Sequence, residues 1–262
     1  MNNFSSALWV EILKLRRSKV PLFTAIGYSI APLIGGLFMV ILKDPVKAQS
    51  MGLISTKAQL AAGTAEWATL FHMLAQATAI GGAIIFGVFT AWLFGREFSD
   101  HTAKELLALP TSREAIIGAK LVVTALWTLL LTLLGYVLGL LVGQLVDIPG
   151  WTTKLFQSAT VDILGAGVLT ILLLPFVAFF ASAGKGYLPS FGWLILTVVM
   201  AQVAAITGWG DWLPWSVPAL FSGAVGPRAE FLGVHSYIVI VIASLIGIAA
   251  TFYWWRNADQ TK

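Results

Sequence analysis

The chain contains no cysteine in 262 residues. Disulfides, thiolate metal sites and thiol nucleophiles are therefore excluded. Histidine is scarce as well: His72, His101 and His235 lie far apart. None of them has a second histidine at metal-ligand spacing. No serine-histidine arrangement is evident, so hydrolase chemistry lacks a nucleophile with a base in reach. There is no Gly-x-x-x-x-Gly-Lys-[Ser/Thr] loop. Gly184-Lys185-Gly186 reads as a turn carrying a snorkelling lysine rather than as a phosphate cradle. The chain has no phosphate-binding loop of its own, and it is read as non-catalytic and free of bound cofactor. Internal repeats and low-complexity linkers are missing too, which leaves a single domain over 1–262. The first twenty residues are charged and amphipathic, and the first apolar block lacks a small-residue cleavage site, so no cleavable signal is expected. Charge itself is thin at 11% of residues, where a soluble domain carries about 25%.

What the chain has is apolar residues, 58% of the total, and they come in long blocks. A block of about 20 apolar residues crosses the hydrocarbon core as a helix. Lipid offers backbone groups no hydrogen-bond partners, and the blocks lack the period-2 alternation of a barrel strand. The reading is an all-α integral membrane protein with six transmembrane helices. They are expected near Pro21–Leu42, Ala68–Phe94, Ile116–Val142, Val161–Ala183, Leu188–Thr207 and Ser236–Trp255. Lysine and arginine orient the set. One side holds Lys14, Arg16, Arg17, Lys19, Arg96, Lys104, Arg113, Lys120, Lys185, Arg256 and Lys262; the other holds Lys43, Lys47, Lys57, Lys154 and Arg228. The richer side should be cytoplasmic. A multi-pass plasma-membrane protein with both termini inside follows. The net charge of +4 reads as topology and contact with anionic lipid. It does not read as nucleic-acid binding, because no basic face is interleaved with stacking aromatics.

Three segments outside the spans carry information. Residues 1–20 form an interfacial amphipathic helix, with Phe4, Leu8, Ile12 and Leu15 on one stripe and Glu11, Lys14 and Arg17 opposite. Residues 208–234 are too rich in tryptophan and leucine to sit free in water, and read as interfacial or re-entrant helices broken at Pro214 and Pro218. Residues 96–113 form a charge-dense loop in which Ser99 or Asp100 can cap a short helix through Leu109, ended by Pro110. Its apolar edge of Leu106, Leu107 and Leu109, beside Glu97, Asp100, Lys104 and Glu105, suits docking in a groove of another protein; a solvated loop fits the same residues.

Within the spans, Gly135, Gly139 and Gly143 make a smooth face for packing inside the subunit or across a dimer. Pro175 should kink the fourth span. His72, Gln76, Asp162 and Gln202 are the polar residues of the outer half. They either line an exit path for a substrate with a polar head or make ordinary interhelical and interfacial contacts.

The 96–113 loop resembles the cytoplasmic loop of ABC-2-type permeases, the membrane subunits of ATP-driven exporters. The matching pattern is Glu97-Phe98, Thr102, Leu106-Leu107, Pro110, Arg113 and Lys120. Glu11-Ile12-Leu13-Lys14-Leu15-Arg16-Arg17-Ser18 and Pro214-Trp215-Ser216-x-Pro218-Ala219-Leu220 are similar to other family segments. The likeness is to the small six-span permeases of the bacitracin-resistance, lantibiotic-immunity and sodium-export type. It implies a coupling helix at Phe98–Leu109 that meets an ABC ATPase through Glu97, Phe98, Asp100, Thr102, Lys104, Leu106, Leu107, Pro110 and Arg113. It also implies a second permease subunit, with ATP and Mg²⁺ held by the ATPase. The expected function is export of a hydrophobic or amphipathic substrate, a peptide antibiotic or a drug. The alternative is a membrane anchoring or assembly protein that uses the same loop for docking without transport. A secondary carrier fits less well, since no ionisable group sits at a midplane.

Overall fold

A computed structural model describes residues 3–52, 63–102, 105, 111–224 and 232–257, and all regular structure among them is helical. In chain order the helices are α1 Asn3–Arg17, α2 Val20–Lys43, α3 Pro45–Ser50, α4 Trp67–Ser99, α5 Arg113–Val146, α6 Thr153–Ile171, α7 Leu174–Ala183, α8 Leu188–Ile206, α9 Val217–Phe221 and α10 Val234–Asn257. A 3₁₀ turn, Pro214–Ser216, leads into α9. With α6 and α7 taken together, six helices are long and apolar enough to cross a membrane. They are the six expected spans. The second, third and fourth extend further, to 33, 34 and 31 residues, or ~45–50 Å of helix against a hydrocarbon core of ~30 Å.

The breaks have local causes. Pro175 lacks an N–H and crowds the carbonyl four residues back, so the fourth span is interrupted at Leu172 and Leu173 and resumes as α7. Pro214 and Pro218 do not break helices as expected. They stand in the first turns of the 3₁₀ turn and of α9, where a missing N–H costs nothing. Ser112 and Thr152 cap α5 and α6 by accepting from the amides of Ala115 (3.2 Å) and Leu155 (3.1 Å).

Helix α4 is the axis of the bundle, packing against α2, α5, α6, α7 and α8. In lipid, apolar side chains gain no hydrophobic drive from meeting one another, so close backbone approach selects the packing. Gly135, Gly139 and Gly143 turn inward and supply it. A Cβ on them would collide with the Tyr28 ring, Leu74 and Trp67 respectively. Their face is thus used inside the subunit, against α2 and α4. Helix α8 lies at the periphery, with 11% of its most apolar stretch buried against 56% for α4.

Helix α1 and the end of α10 lie at one end of the bundle. There Ala7, Phe94, Ile117 and Trp255 share a buried cluster. At the distal end Met39, Trp67, Phe71 and Ile148 share another. Helix α1 does not turn its whole polar side to water as its pattern suggests. Ala7 and Glu11 are its buried residues, while Phe4 and Trp9 are exposed. The reason is ionic.

Candidate functional site

Lys120 stands two turns inside α5 and has no exposed surface. An ammonium has three donors, and three acceptors meet it: the Leu93 carbonyl at 2.6 Å, Glu97 Oε1 at 2.9 Å and Glu11 Oε2 at 3.4 Å. Lys14 Nζ closes the figure, 2.7 Å from Glu11 Oε1 and 3.0 Å from Glu97 Oε1. Two carboxylates and two ammoniums make a neutral quartet, which is the condition for holding charge in a low-dielectric interior. Burial alone would pull the Lys14 pKa down. The carboxylates of Glu97 and Glu11 outweigh it and hold the ammonium above the ordinary lysine value. Glu97 Oε2 is buried and has no hydrogen-bond partner among the described residues. The quartet ties α1 to the end of α4 and the start of α5.

Those two helix ends are the stems of the 96–113 loop. Helix α4 does not stop before the loop, and neither Ser99 nor Asp100 opens a new helix there. Ser99 is the last residue of α4 and Asp100 its C-cap. His101 takes a left-handed conformation (φ 57°). The amides of His101 and Thr102 donate to the carbonyls of Phe98 and Glu97 at 3.2 and 2.9 Å, a Schellman stop. Phe98 packs on Trp254 and Trp255, ring centroids 5.7 and 5.6 Å apart. Arg113 donates to the carbonyl of Trp255 at 3.1 Å, the favoured place for a cation at a helix C-terminus. Asp100 and Thr102 are exposed, whereas Glu97 is buried and faces the quartet. Lys104, Leu106, Leu107 and Pro110 lie outside the described residues.

The four outer polar residues divide between two cavities. His72 and Asp162 line a cleft of about 450 Å³ between α4, α6 and the end of α9. Gln76 joins them indirectly, its Nε2 lying 2.7 Å from His72 Nε2. Gln202 instead lines a separate, mostly apolar cavity of about 60 Å³ enclosed by α4, α6, α7, α8 and α9. His235 is paired as well, its Nε2 lying 2.9 Å from Asp211 Oδ2.

The amphipathic pattern of α1 places Glu11 on the solvent side, and no local pattern offers Lys120 a partner. The missed signal was Lys120 itself: an ionisable residue inside an apolar run requires a counter-charge. Glu11 and Glu97 are the acids that the fold brings to it.

A sequence model described as ABC-2 family transporter protein matches residues 7–204. The chain belongs to the ABC-2 transporter family. The match covers the whole quartet, the first four spans and all but the end of the fifth. The permease is also similar to the bacitracin transport permease protein BCRB of Bacillus licheniformis: 30% identical over 182 residues, 68% of this chain and 85% of the relative. No solved structure matches it. As an ABC-2 permease the chain is the non-catalytic membrane subunit of a transporter, and ATP hydrolysis belongs to a separate ATPase subunit.

Proposed function

We propose that this permease exports a hydrophobic or amphipathic substrate, a peptide antibiotic or a drug, from the cytoplasm or inner leaflet of the plasma membrane. A second permease subunit completes the path, and ABC ATPase subunits carrying ATP and Mg²⁺ dock on the 96–113 loops. One observation carries the reading: both stems of that loop are fastened to the rest of the bundle. Glu97 and Lys120 join α4 and α5 to Glu11 of α1, and Arg113 holds the end of α10. A displacement of the loop is therefore delivered to α1, α4, α5 and α10 together. The terminal end is also the end richer in lysine and arginine, which favours its facing the cytoplasm. The name of the Bacillus relative supports bacitracin as the first substrate to try.

Copurification tests the docking. Membranes in mild detergent should yield the permease with an ABC ATPase. Leu106→Asp with Leu107→Asp should remove the ATPase without lowering permease levels, since a docked helix depends on a small apolar anchor. Restored bacitracin tolerance in a sensitive host, requiring both subunits, tests export. Failure to recover any ATPase from native membranes would favour the anchoring alternative.

A further inference from the structure

The two cavities lie along the same pair of helices. Going inward on α4, Ala75 lines the distal cleft and Ala79 the inner cavity. On α6, Asp162 lines the cleft and Thr170 the inner cavity, a separation of ~12 Å of helix rise. Their chemistry differs. His72, Ser158, Asp162 and Ser222 give the cleft hydrogen-bonding walls with a single carboxylate among the described residues. The inner cavity is walled by Leu174, Val177, Trp193, Leu194, Val198 and Trp215, among others.

Helix α9 divides the two. Phe221 lines the cleft side, and Pro218 and Ala219 line the inner side. The Phe221 ring is seated on Gly165 of α6, so closely that a Cβ there would stand 2.7 Å from it. Glycine at that position is what admits the ring between the cavities. The segment bearing α9 is bounded by Gly208 and Gly223, both at positive φ (81° and 73°). The Ser216 hydroxyl secures it, its one proton shared between the carbonyls of Gly210 and Leu213.

We propose that the cleft and the inner cavity are two halves of one site for an amphipathic molecule with a basic head and a hydrocarbon tail, with Phe221 as the partition between them. Asp162 receives the head, and the tail lies against Trp193, Leu194 and Trp215 once the ring leaves Gly165. A carboxylate accepts about four hydrogen bonds, so head binding does not need Asp162 to lack other partners. The proposal rests on the transport reading but is tested by binding alone.

The probe is a dodecylamine bearing a diazirine near its chain end, applied to the full chain in phosphatidylcholine nanodiscs, with crosslinks mapped by mass spectrometry. Crosslinks should concentrate on the peptide carrying Trp193 and Leu194. Unlabelled dodecylamine should displace the probe and dodecanoate should not. Asp162→Asn should reduce labelling about tenfold, the weight of one charge-assisted hydrogen bond. Phe221→Ala should increase it, and each variant is compared at equal monodispersity and thermal stability. Equal displacement by dodecanoate would overturn the basic-head assignment. Labelling spread evenly over α2 and α10, or labelling unchanged by Phe221→Ala, would overturn the joined site. A negative result alongside normal ATPase copurification would sink this site alone. Specific labelling with no ATPase recovered would sink the export reading and leave the site standing.

Discussion

Lys120 is the residue on which the terminal end depends. Replacing it by methionine keeps most of the volume but leaves the Glu11 and Glu97 carboxylates facing each other with Lys14 as their remaining cation in the quartet. Breaking a buried pair in this way costs about 3–5 kcal/mol, so Lys120→Met should sharply lower the apparent Tm in detergent. Adding Glu97→Gln should recover part of the loss, because the remaining Glu11–Lys14 pair is neutral. A Lys120→Met protein as stable as wild type would show that the quartet is not ionic in the membrane. Lys14 gives a pH signature of the opposite kind. Its folded pKa is raised above the ordinary lysine value. Its contribution is therefore complete below that value and is lost as pH rises through the raised one. Apparent Tm followed upward from roughly pH 10 should fall more steeply for wild type than for Lys14→Met; parallel curves would remove Lys14 from the stabilising set.

At the scale of the helix, the glycine face of α5 makes a contrast within one residue type. Gly139→Leu and Gly143→Val push side chains into Leu74 and Trp67 and should destabilise by about 1–3 kcal/mol each. Gly192→Ala in α8 meets nothing within 4 Å and should be neutral or stabilising by up to ~1 kcal/mol. Thermal unfolding of the three variants checks the ordering, and a destabilised Gly192→Ala would mean that this face of α8 is covered in the native assembly. The spans themselves were legible because block length is a bulk property that survives any tertiary arrangement. The interruption at Pro175 was legible for the equally local reason that the ring removes a donor. The end of α4 was not. Ser99 and Asp100 have the letters of an N-cap, but Phe98 between two tryptophans and Glu97 among two lysines draw the helix one turn further. Those partners come from α1, α5 and α10, and no window of the sequence contains them. The same holds for Glu11, whose helical stripe is polar by composition and interior by pairing.

For the molecule as a whole, orientation is the property to measure, and a chain without cysteine is well suited to it. Single cysteines replacing Met51 or Lys154, both at exposed distal positions, should react with an impermeant maleimide added to intact cells. Cysteines replacing Asp100 or Asn257, exposed at the terminal end, should react only after permeabilisation. Labelling of position 100 from outside would invert the molecule and remove the loop from any cytoplasmic ATPase.

The quartet also imposes an order on synthesis. Glu11 and Lys14 leave the ribosome at the very start, long before Lys120 exists. Glu97 arrives at the close of the second span, and Lys120 only as the third begins. Until then the Glu11 carboxylate of α1 has Lys14 of the same helix as its partner in the quartet, and the wet membrane surface holds that pair. The helix made first is thus fixed after two spans are already inserted. A nascent chain stalled before residue 120 would leave α1 open to protease, and one stalled after the third span would protect it.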